Sequence, residues 1–147
     1  MKSKKEKPAK IETWVLRYVV KLKNMMGLQQ WTIEVSATPC GNDAEAQTLI
    51  TYGQHLAVME LSKNFRNWTS EETRGNIVHE LLHCHLTRIS EVVGEILKPE
   101  PGDKVGAAIC KSVNAVMEYE IERVIDSLSE SICKWLPTPA IPKPKGK

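Results

Sequence analysis

His79-Glu80-Leu81-Leu82-His83 lies inside a segment of helical periodicity, and its reading decides how the rest of the chain must fold. Residues four apart on a helix share a face, so the two imidazoles can grip a single metal ion. Glu80 is rotated by about 100° from His79 and can reach a water at the metal without ligating the metal itself. The flanking residues support a helix. Thr69 is a good N-cap, and Glu72 stands three residues later to complete a capping box. Val78, Leu82, Leu86, Ile89 and Val93 then form one apolar stripe, and the predicted helix runs to about Leu97. His79 and His83 fall at the edge of that stripe, where a site has both a buried wall and a solvent opening. His85 points to a different face and is expected to be a structural or surface histidine.

Upstream, Ile11, Trp14, Val15, Tyr18, Val19, Leu22 and Met26 recur at helical spacing, and Gly27 is a natural stop for that helix. Trp31 to Ser36 alternates apolar and polar residues, as a half-buried strand does. Pro39, Gly41, Asn42 and Asp43 mark Thr38 to Glu45 as a loop. Thr48 to Tyr52 and Leu56 to Leu61 are β-prone runs on either side of Gly53-Gln54 and read as a hairpin. Downstream, Lys98-Pro99-Glu100-Pro101-Gly102-Asp103 breaks the chain before a last helix, Val105 to Trp135. Val113, Met117, Ile121, Val124, Leu128 and Ile132 are its expected apolar stripe, and Pro137 and Pro139 end it. One helix, three strands and two further helices make an α+β fold without internal repeats.

At 147 residues and 41% hydrophobic content, the chain is long enough for one domain with one core. Lys2, Lys4, Lys5, Lys7 and Lys10 crowd one end, and Lys143, Lys145 and Lys147 close a Pro-rich other end. The expected organisation is therefore a disordered tail over 1–10, a domain over 11–136 and a second tail over 137–147. Lysine runs alone are poor evidence for nucleic acid, so contact through the tails is only a secondary expectation. The first apolar stretch, Trp14 to Val20, is short and broken by Arg17, which argues against a secretory or membrane segment. Cys40, Cys84, Cys110 and Cys133 form no C-x-x-C pair and read as buried free thiols of a cytoplasmic protein.

H-E-x-x-H on a helix is the signature of zinc-dependent hydrolases, whose catalytic sites keep three protein ligands and leave one position for water. A third ligand must come from elsewhere, because the chain has no histidine where a longer H-E-x-x-H-x-x-G-x-x-H pattern has its third. The last helix offers Glu118, Glu120 and Glu122. Helical phase favours Glu118 or Glu120, each about 80° from the centre of the expected apolar stripe, against about 120° for Glu122.

With these residues in place, the chain resembles a minimal gluzincin, with H-E-x-x-H on one helix and a zinc-binding Glu on a second. Glu122-Arg123-Val124-Ile125-Asp126 is similar to the thermolysin-type E-x-x-x-D pattern. That resemblance implies Glu122 as third ligand and Asp126 as the brace of a zinc-bound histidine. The stretch Glu122 to Ser129 also resembles the E-x-x-A-N-x-F-A region of ImmA/IrrE-type metallopeptidases, with Asp126 for Asn, Leu128 for Phe and Ser129 for Ala. The order of elements is similar to compact SprT-like metallopeptidases and to small metallopeptidases of phages and prophages. The likeness spans most of residues 11–136. It implies a minimal zincin-like fold, Zn2+ as cofactor and a protein or peptide substrate. The Cys-based zinc ribbon that often follows an SprT core is missing, so the DNA-repair role tied to that module is not implied.

In that reading Glu80 is the general base, and Tyr119, Tyr52 and His55 are electrophile candidates by type alone, expected instead to serve in packing. The strand Leu56 to Leu61 is the expected edge for an extended substrate to pair with. A non-catalytic metal-binding protein that holds a partner is the alternative. An intact Glu80 argues against it, since a purely structural site has no use for a base there.

Overall fold

Ala57, Met59 and Leu61 alternate along one strand and are 0–3% exposed, and the fold is assembled around them. A computed structural model describes residues 11–41 and 44–142. Its elements in chain order are α1 (Thr13–Met25), β1 (Thr32–Val35), β2 (Ala46–Thr51), β3 (Leu56–Leu61), α2 (Ser70–Ile96) and α3 (Lys104–Cys133), with a short 3-10 turn at Phe65–Asn67 before α2. The expected α+β class holds: three helices and a three-stranded mixed sheet. The whole N-terminal tail (1–10) and the end of the C-terminal one (143–147) lie outside the described residues.

Strand order is β1-β3-β2. β1 runs parallel to β3 with Ile33 opposite Ala57, and β2 runs antiparallel with Leu49 opposite Val58. β3 is therefore central, and the expectation that Leu56 to Leu61 offers a free edge is overturned. Its two sides are already occupied, and the edge beside α2 belongs to β2. The hairpin turns at Gly53, whose φ of 72° suits a residue without Cβ.

The helices cover one face of the sheet. Val15, Val19 and Leu22 of α1 and Ile77, Leu81 and Cys84 of α2 meet the β3 residues in the core. Burial of each such aliphatic side chain contributes roughly 1.5–3 kcal/mol. Thr69 opens α2 with the expected capping box: its hydroxyl accepts from the Glu72 N–H at 3.2 Å, and its own N–H donates to Glu72 Oε2 at 2.7 Å.

α3 departs from its expected phase. Ile125 and Ser129 are its buried residues, while Val124 and Leu128 are 47% and 40% exposed. Two apolar stripes run along this helix one residue apart, and the sequence pattern had merged them. Ile89 of α2 is likewise exposed rather than part of the core. The chain after α3 is also tied down further than a solvated tail would be. Tyr18 Oη donates to Pro137 O at 2.7 Å, Arg74 donates to Leu136 O at 3.0 Å, and Pro139 is buried. All four cysteines are free, but only Cys84 is buried, and the others are half-buried. No helix among the described residues is long and apolar enough to cross a membrane.

Candidate metal centre

α2 turns Leu86, Ser90, Val93 and Leu97 toward α3, and that seam continues back by helical steps through His83 and His79. α3 runs antiparallel to α2, so the turn carrying Glu122 arrives opposite the histidines. His79 Nε2 lies 3.3 Å from Glu122 Oε2, and His83 Nε2 lies 3.5 Å from Glu122 Oε1. On the other side of the His79 ring, Nδ1 is 3.2 Å from Asp126 Oδ1. A ring whose Nδ1–H donates to a carboxylate keeps its Nε2 lone pair free for a ligand role. His79, Glu80 and His83 each bring a donor atom within 4.8 Å of the others, so this group could hold a metal ion.

The donor separations fit that use. Each imidazole faces its own oxygen of Glu122, at 3.3 Å for Oε2 and 3.5 Å for Oε1, about the separation of two neighbouring ligands on one zinc ion. Both histidine side chains are 24% exposed, so the cluster is walled but open. Burial lowers the His83 pKa, with His79 adding to the fall and Glu122 and Asp126 opposing it. A neutral imidazole is the form that binds metal.

Glu80 is only 5% exposed, and its Oε2 has no hydrogen-bond partner. Burial raises its pKa, Thr48 and His79 pull it back, and the charge of Glu122 adds to the rise. Thr48 of β2 stands beside the carboxylate, close enough for its hydroxyl and backbone N–H to favour the charged form. A buried carboxylate oxygen left without a partner costs stability. Cys84, one turn further along α2, is buried, which pushes its thiol up to about 12, and it is not among the residues that bring a donor atom to the cluster.

A groove leads away from the cluster on the His83 side. A cavity of about 170 Å³ lined by Thr48, Ile50, His83, Ile121 and Glu122 opens past Tyr52, Ser90 and Glu118 into a cleft of about 620 Å³. Arg88, Glu91, Gly94, Asn114 and Met117 line the cleft further on. A separate hollow of about 310 Å³ lies beside His79, Asp126 and Ser129. β2 forms one bank. Ser62 N–H donates to Glu45 O, and Ser36 N–H to Met59 O, so alternation directs the backbone groups of Ala46, Thr48 and Ile50 away from β3. Among the described residues, no other backbone group pairs with them.

The sequence-predicted residues His79, Glu80, His83, Glu122 and Asp126 are thus brought together. Glu118 lies one turn away beside the cavity, and Glu120 pairs with Arg123 on the opposite flank of α3. Tyr119 is exposed under the Arg123 guanidinium and His55 sits edge-on to Trp31, neither at the cluster. Tyr52, also exposed rather than packed, does reach the groove. His85 is exposed and donates to Met26 O at 2.8 Å. Sequence reasoning missed Thr48, whose only signal was its place on a strand leading to the hairpin turn. Comparison with protein-family models, with curated proteins and with solved structures gave no match.

Proposed function

We propose that the protein is a zinc-dependent peptidase, with His79, His83 and Glu122 holding the ion and Glu80 as general base. The observation that carries this reading is the buried Glu80 carboxylate, whose Oε2 has no partner, beside two imidazoles that share one carboxylate. Two nitrogens and one oxygen suit zinc among the divalent ions. When bound, the ion supplies Lewis acidity toward a water and toward the scissile carbonyl. Glu80 takes the proton from the attacking water and delivers it to the leaving amine. Asp126 holds the His79 ring in orientation through Nδ1. The backbone groups of Ala46 and Ile50 on β2, which among the described residues pair with no other backbone group, offer an extended peptide a strand to pair with, and the groove accepts its side chains. Asparagine and glutamate side chains along the cleft add polar contacts for those side chains.

Elemental analysis of protein purified without added metal should give close to one zinc per chain, lost in His79→Ala and His83→Ala. Glu80→Gln should keep the metal and lose hydrolysis of a peptide-library substrate that the wild type cleaves, because a near-isosteric amide cannot accept the proton. A folded, metal-free wild type would end the metalloprotein reading. Stoichiometric metal with equally negligible turnover in wild type and Glu80→Gln would favour a non-catalytic protein that holds a partner.

A further inference from the structure

The forty residues from His85 to Val124 contain no buried side chain, although most of them form the outer halves of α2 and α3. These halves make a helical arm beyond the core, held by a half-buried seam of Leu86, Ser90, Val93 and Leu97 against Gly106, Cys110, Val113 and Met117. Helices in water draw most of their stability from a packed face, and one seam without a buried residue is a poor source of it. The two flanks of the seam differ. Residues that follow seam positions by one (Glu91, Gly94, Asn114, Glu118) line the cleft. Residues that precede them by one are Ile89, Val92, Ile96, Val105, Ile109 and Val116, all 42–74% exposed. In antiparallel helices the same step from the seam points to the same side, as the cleft residues show, so these six form one face opposite the cleft.

We propose that this face is the self-association surface of the protein, covered by the same face of a second copy to give an antiparallel four-helix packing. Three observations select that occupant. α1 covers this flank nearer the core, where His85 meets Met26 O, and its cover stops there, so the outer turns lack the third helix that the inner ones have. The exposed fractions leave on the order of 500–600 Å² of apolar surface, the upper end of what a monomer shows, and two copies reach about 1,000–1,200 Å², the threshold of a specific interface. On this flank no charged side chain interrupts α3 between Val105 and Val116, where Ser112 is the polar member, so a two-fold pairing meets no like-charge repulsion and a charge-steered partner finds no counterpart. The cleft and the metal cluster stay open on the other side.

Sedimentation equilibrium of the full chain should give twice 16.6 kDa at about 100 µM protein. Ile109→Glu should raise the dimer dissociation constant by about 30-fold or more while circular dichroism keeps the helical signal. If Ile109→Glu loses helix, the milder Ile109→Ser supplies the reading, with a smaller shift in the same direction. A wild type that stays at one chain mass overturns the proposal, as does a dimer whose dissociation constant neither variant changes. A wild type that is monomeric alone but forms a complex with another protein through these residues overturns it too, in favour of a foreign helix on the same face.

Discussion

Glu122 is 51% exposed and would gain little by leaving water for two imidazoles, yet its two oxygens face both of them. Without an ion the arrangement is weak, because His83 is held toward its neutral form and a neutral ring gives a carboxylate no charge to pair with. In the proposed reading, a cation held by these groups would supply the charge that the pairing lacks. Glu122→Ala should therefore weaken zinc binding more than Glu118→Ala or Glu120→Ala, while Asp126→Asn, which loosens only the His79 ring, should cost roughly 10–100-fold in affinity. Zinc titration of the four variants checks this, and wild-type affinity in Glu122→Ala together with loss in Glu118→Ala would sink the assignment. His79, Glu80 and His83 were legible in the sequence because a turn and a half of one helix fixes their mutual geometry. Glu122 was not, since its orientation depends on which of two stripes α3 buries. Burial of Ile125 in place of Val124 swings Glu118, Glu122 and Asp126 onto one line beside the seam and leaves Glu120 on the far flank.

The phase of α2 is set at its start, where the Thr69–Glu72 box satisfies backbone donors that no preceding turn can reach. Thr69→Ala should destabilise the fold by about 1 kcal/mol in urea unfolding at pH 7. The backbone N–H and side chain of Thr69 hold the Glu72 carboxyl below its ordinary value of 4.5. A carboxyl lowered in the folded state stabilises at pH above its unfolded pKa, and that contribution is lost as pH falls through the folded value. The deficit of Glu72→Gln against wild type should accordingly be present at pH 7 and close as pH is taken below 4.5 toward 3. A deficit independent of pH would show that the charge contributes nothing at this cap. Helix starts of this kind are local and could be read in advance. Sheet order could not: nothing in Leu56 to Leu61 says whether its neighbours lie on one side or two, and only the parallel return of β1 made β3 central.

At the scale of the molecule, two unlike regions share α2 and α3. Their inner halves are anchored in the core through Ile77, Leu81 and Ile125 and by the strap after α3, which Tyr18 and Arg74 hold at Pro137 and Leu136. Their outer halves have only the seam. The candidate metal centre stands at the junction and draws donors from both helices, so an ion there joins α3 to a helix whose own packing against the sheet is secure. Binding to the folded state alone raises stability by about 4 kcal/mol at free metal 1,000-fold above Kd. For a domain of this length that corresponds to a rise in Tm of roughly 8–16 °C. Zinc added to chelator-treated protein should produce such a shift in the wild type and in Glu80→Gln, and little of it in His79→Ala or His83→Ala. Calorimetry in the presence and absence of the ion reads it directly. An unchanged wild-type Tm, or an equal rise in the histidine variants, would mean that the ion does not bind where the two helices meet, and the proximity of Glu122 to His79 and His83 would then have to be explained by helix packing alone.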